Sequence, residues 1–227
     1  MAKIKPKLFS FGFNRKLDKK IPILNLPTIT TCPGRSPLCS KLCYANKAEI
    51  CYRSAREKRQ RIYNELTSNP ESFWKELRVE MDALIKDYGV DKVRFHESGD
   101  FFWQDYVDAA LKFMSEYPGV TFLAFTKSHM FDFSAKPKNL NLKQSYDESN
   151  LDVPKIPNTP KTYVMTKVEQ PVPPPAAVKI PKVPGNMDKD FKMCPLSKDV
   201  GGEHHYCGRL CLTCWNDKDD NVYFKQH

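Results

Sequence analysis

Apolar residues recur at helical spacing through "SNPESFWKELRVEMDALIKDYG", where Phe73, Leu77, Met81, Leu84, Ile85 and Tyr88 fall on one stripe. The spacing predicts a helix with one buried face. Asn69 is placed to cap it, Pro70 suits its first turn, and Gly89 can end it. A second stripe, Trp103, Tyr106, Val107, Ala110, Leu111 and Met114, predicts a helix within "FFWQDYVDAALKFMSEYPG". Between the two, residues 93–96 ("VRFH") predict a short strand, and "VTFLAFTKS" a buried one. "NLNLKQSYDES" and "KTYVMTKV" predict two more. Upstream, "IPILNLPTIT" reads as strand or irregular wall, and residues 52–66 as a basic helix.

The order helix–strand–helix–strand, followed by strands with shorter crossovers, predicts an α/β fold with a parallel core, either a partial barrel or a small open sheet. Residues 1–152 would form this core and carry a first group of cysteines. Residues 153–184 are proline-rich and predict an extended segment around one strand, within the same domain. Residues 185–227 form a cysteine-rich C-terminal segment.

Composition narrows the class. With 41% hydrophobic and 28% charged residues the chain should fold as a globular protein. No apolar run approaches the roughly 18 residues that a membrane helix needs. The basic start "MAKIKPKLFSFGFNRKLDKK" lacks the apolar core of a secretory signal, so the expected location is the cytoplasm, away from membranes. The net charge of +9 is compatible with nucleic acid or another anionic partner, and equally with a solvated Lys/Glu-rich surface. The same two readings apply to Arg53, Arg56, Lys58, Arg59 and Arg61 on the basic helix.

The eight cysteines carry the chemistry. In a reducing compartment clustered cysteines point to metal or redox work, because disulfides are rare there. Group one is Cys32, Cys39, Cys43 and Cys51; group two is Cys194, Cys207, Cys211 and Cys214. Each opens with Cys-Pro. Four thiolates suffice for zinc or for a 4Fe-4S cluster. Structural zinc sites favour two close cysteine pairs, which neither group has, so the spacing favours iron–sulfur, with zinc as the alternative. His204 and His205 lie inside group two as further candidate ligands or as solvent-facing residues. "CGRLCLTC" in group two has the C-x3-C-x2-C spacing of radical S-adenosylmethionine (SAM) enzymes, but Cys194 stands ready as a fourth ligand. In group one, Cys39 and Cys43 begin the same spacing and Asn46 takes the third place. If Cys51 is a ligand that cluster is closed; if not, one iron is open to SAM or a substrate.

A second set of candidates sits where predicted strands end. In α/β folds the carboxyl ends of strands face the active site. His96, Glu97 and Asp100 are candidates for moving protons there. Ser98, Gly99, Lys127 and Ser128 are candidates for binding a cofactor or an anionic group. The competing reading is a capped turn, with Ser98 or Asp100 accepting backbone hydrogen bonds.

The segments "LNLPTITTCPG", "LCSKLCYANK", "RFHESGDFF", "FLAFTKS" and the closing C-x3-C-x2-C-W resemble the phage and plasmid gene product 88 family, in the same order and over most of the chain. The resemblance implies a shortened, radical-SAM-like α/β barrel carrying one or two iron–sulfur clusters, and it supplies neither reaction nor substrate. The enzyme reading has group one passing an electron to SAM or substrate and group two relaying electrons from an electron donor. The alternative is a metal-stabilised nucleic-acid-binding protein without catalysis.

Overall fold

The computed structural model describes residues 4–11, 17–165, 191–193, 214–215 and 221–225. Its strands are β1 (Ser10–Phe11), β2 (Pro22–Leu24), β3 (Lys92–Phe95), β4 (Thr121–Thr126), β5 (Leu140–Tyr146), β6 (Lys161–Met165), β7 (Phe191–Met193) and β8 (Asn221–Lys225). The helices are α1 (Pro37–Leu42), α2 (Tyr44–Cys51), α3 (Arg53–Ser68), α4 (Pro70–Tyr88) and α5 (Gln104–Ser115).

The strands form one eight-stranded sheet in the order β1-β2-β3-β4-β5-β6-β8-β7. β1 pairs antiparallel with β2, and every other neighbouring pair is parallel. From β2 to β6 the order follows the chain. Crossovers of one hand then place their helices on one face of the sheet. The core agrees: Leu24, Val93, Phe95, Phe122, Leu140 and Leu142 pack with apolar residues of α3, α4 and α5. Among the described residues the sheet stays open, with β1 paired only to β2 and β7 only to β8.

α4 starts and stops where its sequence predicts. The Asn69 side chain accepts the N–H of Ser72 at 3.1 Å, and Gly89 takes the left-handed conformation at φ 64°. Phe73, Leu77, Met81 and Leu84 are buried, joined by Trp74 and Glu80. Tyr88 clears the core, and its hydroxyl donates to the carbonyl of Ile4. The Glu80 carboxylate accepts the backbone N–H groups of Lys7, Leu8 and Phe9 at 2.7–3.1 Å, which ties down the segment leading into β1. Two expectations shift. The strand before the "ESGD" turn ends at Phe95, because His96 turns to φ 59°. Trp103, expected on the buried stripe, precedes α5 in an extended conformation and is 56% exposed; Phe101 and Phe102 are buried beside it instead.

The opposite face presents a row in register across four strands: Ile23, Arg94, Leu123 and Asn141. Leu17, Ile21, Cys214 and Trp215 pack against its apolar members, and the Asn141 side-chain amide donates to the carbonyl of Trp215 at 2.7 Å.

Candidate metal centre at the carboxyl ends of the strands

After β2 the chain folds over the carboxyl ends of β3 and β4. The Leu26 N–H donates to the Ser98 carbonyl at 3.0 Å, the Ser98 hydroxyl to the Leu26 carbonyl at 2.9 Å, and the Ser98 N–H to Asn25 Oδ1 at 2.9 Å. Two glycines permit this approach. Gly99 has φ 78°, and a Cβ there would stand 2.5 Å from Thr31 Oγ1 and 2.7 Å from Leu26 Cβ. A Cβ on Gly34 would stand 2.0 Å from the Lys127 carbonyl oxygen.

The loop then enters two short helices that place the cysteines. Ser36 caps α1 by accepting the Cys39 N–H at 3.0 Å, and its hydroxyl donates to Asp147 Oδ2. Lys127 Nζ donates to the same carboxylate oxygen at 2.7 Å, so the cap is tied to the ends of β4 and β5. Burial pushes Asp147 upward, but hydrogen bonds from Lys127, Ser36 and Ser149 outweigh it and hold the carboxyl below its usual range. Cys43 caps α2, its sulfur accepting the Asn46 N–H at 3.4 Å. Glu49 anchors α2: its carboxylate accepts from the Thr28 N–H at 3.0 Å, the Thr28 hydroxyl at 2.6 Å and Arg59 at 3.0 Å.

Cys32, Cys39 and Cys43 form no disulfide, are half-buried, and are close enough to feel one another's charge. Burial pushes the Cys32 thiol up to about 12, with the Asp100 charge adding to the rise. Burial also raises Cys39, the neighbouring Lys127 opposes it, and Cys43, Asp147 and Asp100 add to it. Cys51 stands apart, exposed at the far end of α2. Eight residues at about 1.5 Å each carry it about 12 Å along the axis from Cys43. Among the described residues no three Cys, His, Asp or Glu side chains close on a single metal ion.

The strand-end candidates divide. Asp100 lies beneath the cysteine loop. Its Oδ1 accepts the Phe101 N–H and the Thr126 hydroxyl, both at 2.7 Å, and its Oδ2 accepts the Lys127 N–H at 2.8 Å. Burial nonetheless raises it to about 6. Lys127 joins Asp147 beside Cys39. Glu97 adjoins α2, its carbonyl accepting the Tyr44 hydroxyl at 2.7 Å. Ser98 and Gly99 hold the cysteine loop, and Ser128 donates to the Phe101 carbonyl at 2.6 Å. His96 points into the core: Nε2 meets the Tyr106 hydroxyl at 2.8 Å, and Nδ1 has no partner. Burial, and then Arg94, lower it to about 3, so it is neutral at ordinary pH. Sequence reasoning missed Asp147, Ser36 and Glu49. Asp147 follows β5 as Lys127 follows β4, so the strand-end rule reaches it too, and Ser36-Pro37 is a helix-start signal.

The basic residues of α3 are engaged within the molecule. Arg53 pairs with Glu57, Arg59 with Glu49 and Arg61 with Glu65, and Lys58 Nζ donates to the Phe9 carbonyl at 2.6 Å. Cys194, Cys207, Cys211, His204 and His205 lie outside the described residues, as do residues 166–190 of the proline-rich segment and its surroundings. Among the described residues no helix is long and apolar enough to cross a membrane. A cavity of about 280 Å³ lies at the opposite end of β3, lined by Asp18, Lys20, Asp91 and Lys92 among others.

The sequence is 28% identical over 199 residues to the gene 88 protein of Mycobacterium phage L5, covering 81% of this chain and 78% of that protein. It is 30% identical over 131 residues to the gene 88 protein of Mycobacterium phage D29, covering 54% of this chain and 55% of that protein. No solved structure matches. The sequence model of the gene product 88 family matches residues 5–217, and the chain belongs to that family.

Proposed function

We propose that this protein carries a 4Fe-4S cluster on Cys32, Cys39 and Cys43, with the fourth iron left open to a ligand. The observation that carries the reading is the gathering of these three thiols, in mutual electrostatic range, over the carboxyl ends of β3 and β4. Three thiolates are the protein ligands of a 4Fe-4S cluster whose fourth iron is open. Cys51, at the far end of α2, supports a three-ligand site. The Asn46 N–H donates to the Cys43 sulfur, and the Lys127 charge beside Cys39 opposes the effect of burial there.

When bound, the cluster would supply electron transfer and an open iron for a co-substrate, with SAM as the leading candidate. The protein positions it: Gly34 and Gly99 let the loop lie on the sheet, and the Ser36–Asp147–Lys127 bonds fix the start of α1. On α3, Arg59 and Lys58 are held within the molecule, while Arg53 and Arg61 pair with Glu57 and Glu65 at the exposed helix surface. Cys194, Cys207, Cys211 and Cys214 would carry the second cluster.

The test is spectroscopic. Protein purified without oxygen and reduced with dithionite should give the EPR signal of a reduced 4Fe-4S cluster, and adding SAM should change that signal. Colourless protein with stoichiometric zinc would refute the reading. A cluster whose signal ignores SAM would leave the iron site and remove SAM as its co-substrate.

A further inference from the structure

Arg94 occupies the middle of the sheet face opposite the described helices, between Ile23 of β2 and Leu123 of β4. Its surroundings are apolar, yet its Nε is closed off from solvent with no acceptor, and among the described residues no carboxylate pairs with it. Leaving a cation partly desolvated and unpaired costs free energy, and an apolar residue would fill the same space without that cost. The side chain also has a direction. Its guanidinium lies 4.2 Å from the ring centre of Phe125, two residues further along the neighbouring strand than Leu123, its partner in register. The head therefore leans toward the carboxyl ends, where the cysteine loop sits. There it shares an environment with Tyr44, whose phenol feels the charges of Glu97, Arg94 and Cys43. A guanidinium laid against an aromatic ring keeps its N–H edge free for the two oxygens of a carboxylate or phosphate.

We propose that Arg94 anchors an oxyanion-binding site on this face, holding a carboxylate or phosphate group of the molecule that reaches the cysteine centre. The link to the cysteine centre rests on the iron–sulfur reading above; the anion site itself does not. Phe125 backs the guanidinium, and the apolar row around it lowers the local dielectric, which strengthens the attraction for an anion.

Isothermal titration of the full chain with inorganic phosphate, and separately with acetate, tests the site in wild type, Arg94→Met, Arg94→Gln and a surface control, Arg53→Met. Wild type and R53M should bind at least one probe with one-to-one stoichiometry. R94M and R94Q should bind it at least about tenfold more weakly, the loss of a charge-assisted pair. Phosphate binding alone assigns a phosphorylated ligand, and acetate binding alone a carboxylate. R94M should also melt close to wild type, because among the described residues no carboxylate pairs with the charge and Met can still pack against Phe125. No binding in wild type, or equal binding in R94Q, overturns the proposal. Iron content of R94M, measured alongside, separates the two readings: iron equal to wild type with lost anion binding supports both, and iron-free wild type that still binds the anion through Arg94 removes only the cluster.

Discussion

Gly34 governs whether the cysteine loop can lie on the sheet. A methyl group there would meet the Lys127 carbonyl at 2.0 Å, and backbone on both sides leaves little room to shift. Gly34→Ala should cost about 1–3 kcal/mol in chemical denaturation, the usual range for overpacking, and should lower the iron bound after reconstitution. Wild-type stability would show that the loop does not press on β4. His96 offers a second test at this scale. Its pKa falls from 6.5 in the free side chain to about 3 in the fold. The folded state thus binds fewer protons, and the stability tied to neutral His96 is present above pH 6.5 and lost as pH falls toward 3. His96→Asn tolerates the positive φ and does not titrate. Its stability should therefore fall less steeply than wild type between pH 6 and pH 4, an interval inside the span from 6.5 to about 3. Equal slopes would place the acid sensitivity elsewhere. The sequence read His96 as a strand-end residue of a pocket. Its inward turn depends on a φ of 59° and on Tyr106, ten residues on, neither of which a strand pattern contains.

At the scale of elements, legibility tracked local signals. α4 was readable because its cap, first-turn proline, apolar period and terminal glycine agree. α1 and α2, of six and eight residues, have no such period; their placement comes from Ser36 and Glu49 bonding to other segments and from the Cys43 sulfur capping its own helix. β1 was not readable as an antiparallel edge, because what holds it is Glu80, seventy residues away and itself looking like a solvated position on α4. Glu80→Gln keeps the shape and removes the charge that three N–H groups share. It should cost at least about 2 kcal/mol, the scale of charged hydrogen bonds, and raise amide exchange at Leu8 and Phe9. The bidentate pair between Arg78 of α4 and Glu116 of α5 gives the contrast. Both side chains keep about a third of their exposure, so Glu116→Gln should cost less than about 1 kcal/mol. A reversed ranking in the denaturation midpoints would contradict this account of what fastens the helical layer.

For the molecule as a whole, strand order explains where the chemistry lies. β2 to β6 wind in one direction, so the helices share one face and the carboxyl ends share one rim. That rim gathers Cys32, Cys39, Cys43, Asp100, Lys127 and Asp147 from four separate stretches of sequence. The cysteine spacing alone left open whether Cys51 joins the other three, and α2 carries it to the far end of the helix, away from them. The most direct test of the three-cysteine site is iron and acid-labile sulfide per chain, measured in anaerobically prepared wild type, Cys39→Ala and Cys51→Ala. Cys39→Ala should lose about four irons and four sulfides relative to wild type, one cluster's worth, while Cys51→Ala keeps the wild-type content. Equal loss in both variants, or no loss in Cys39→Ala, would contradict it.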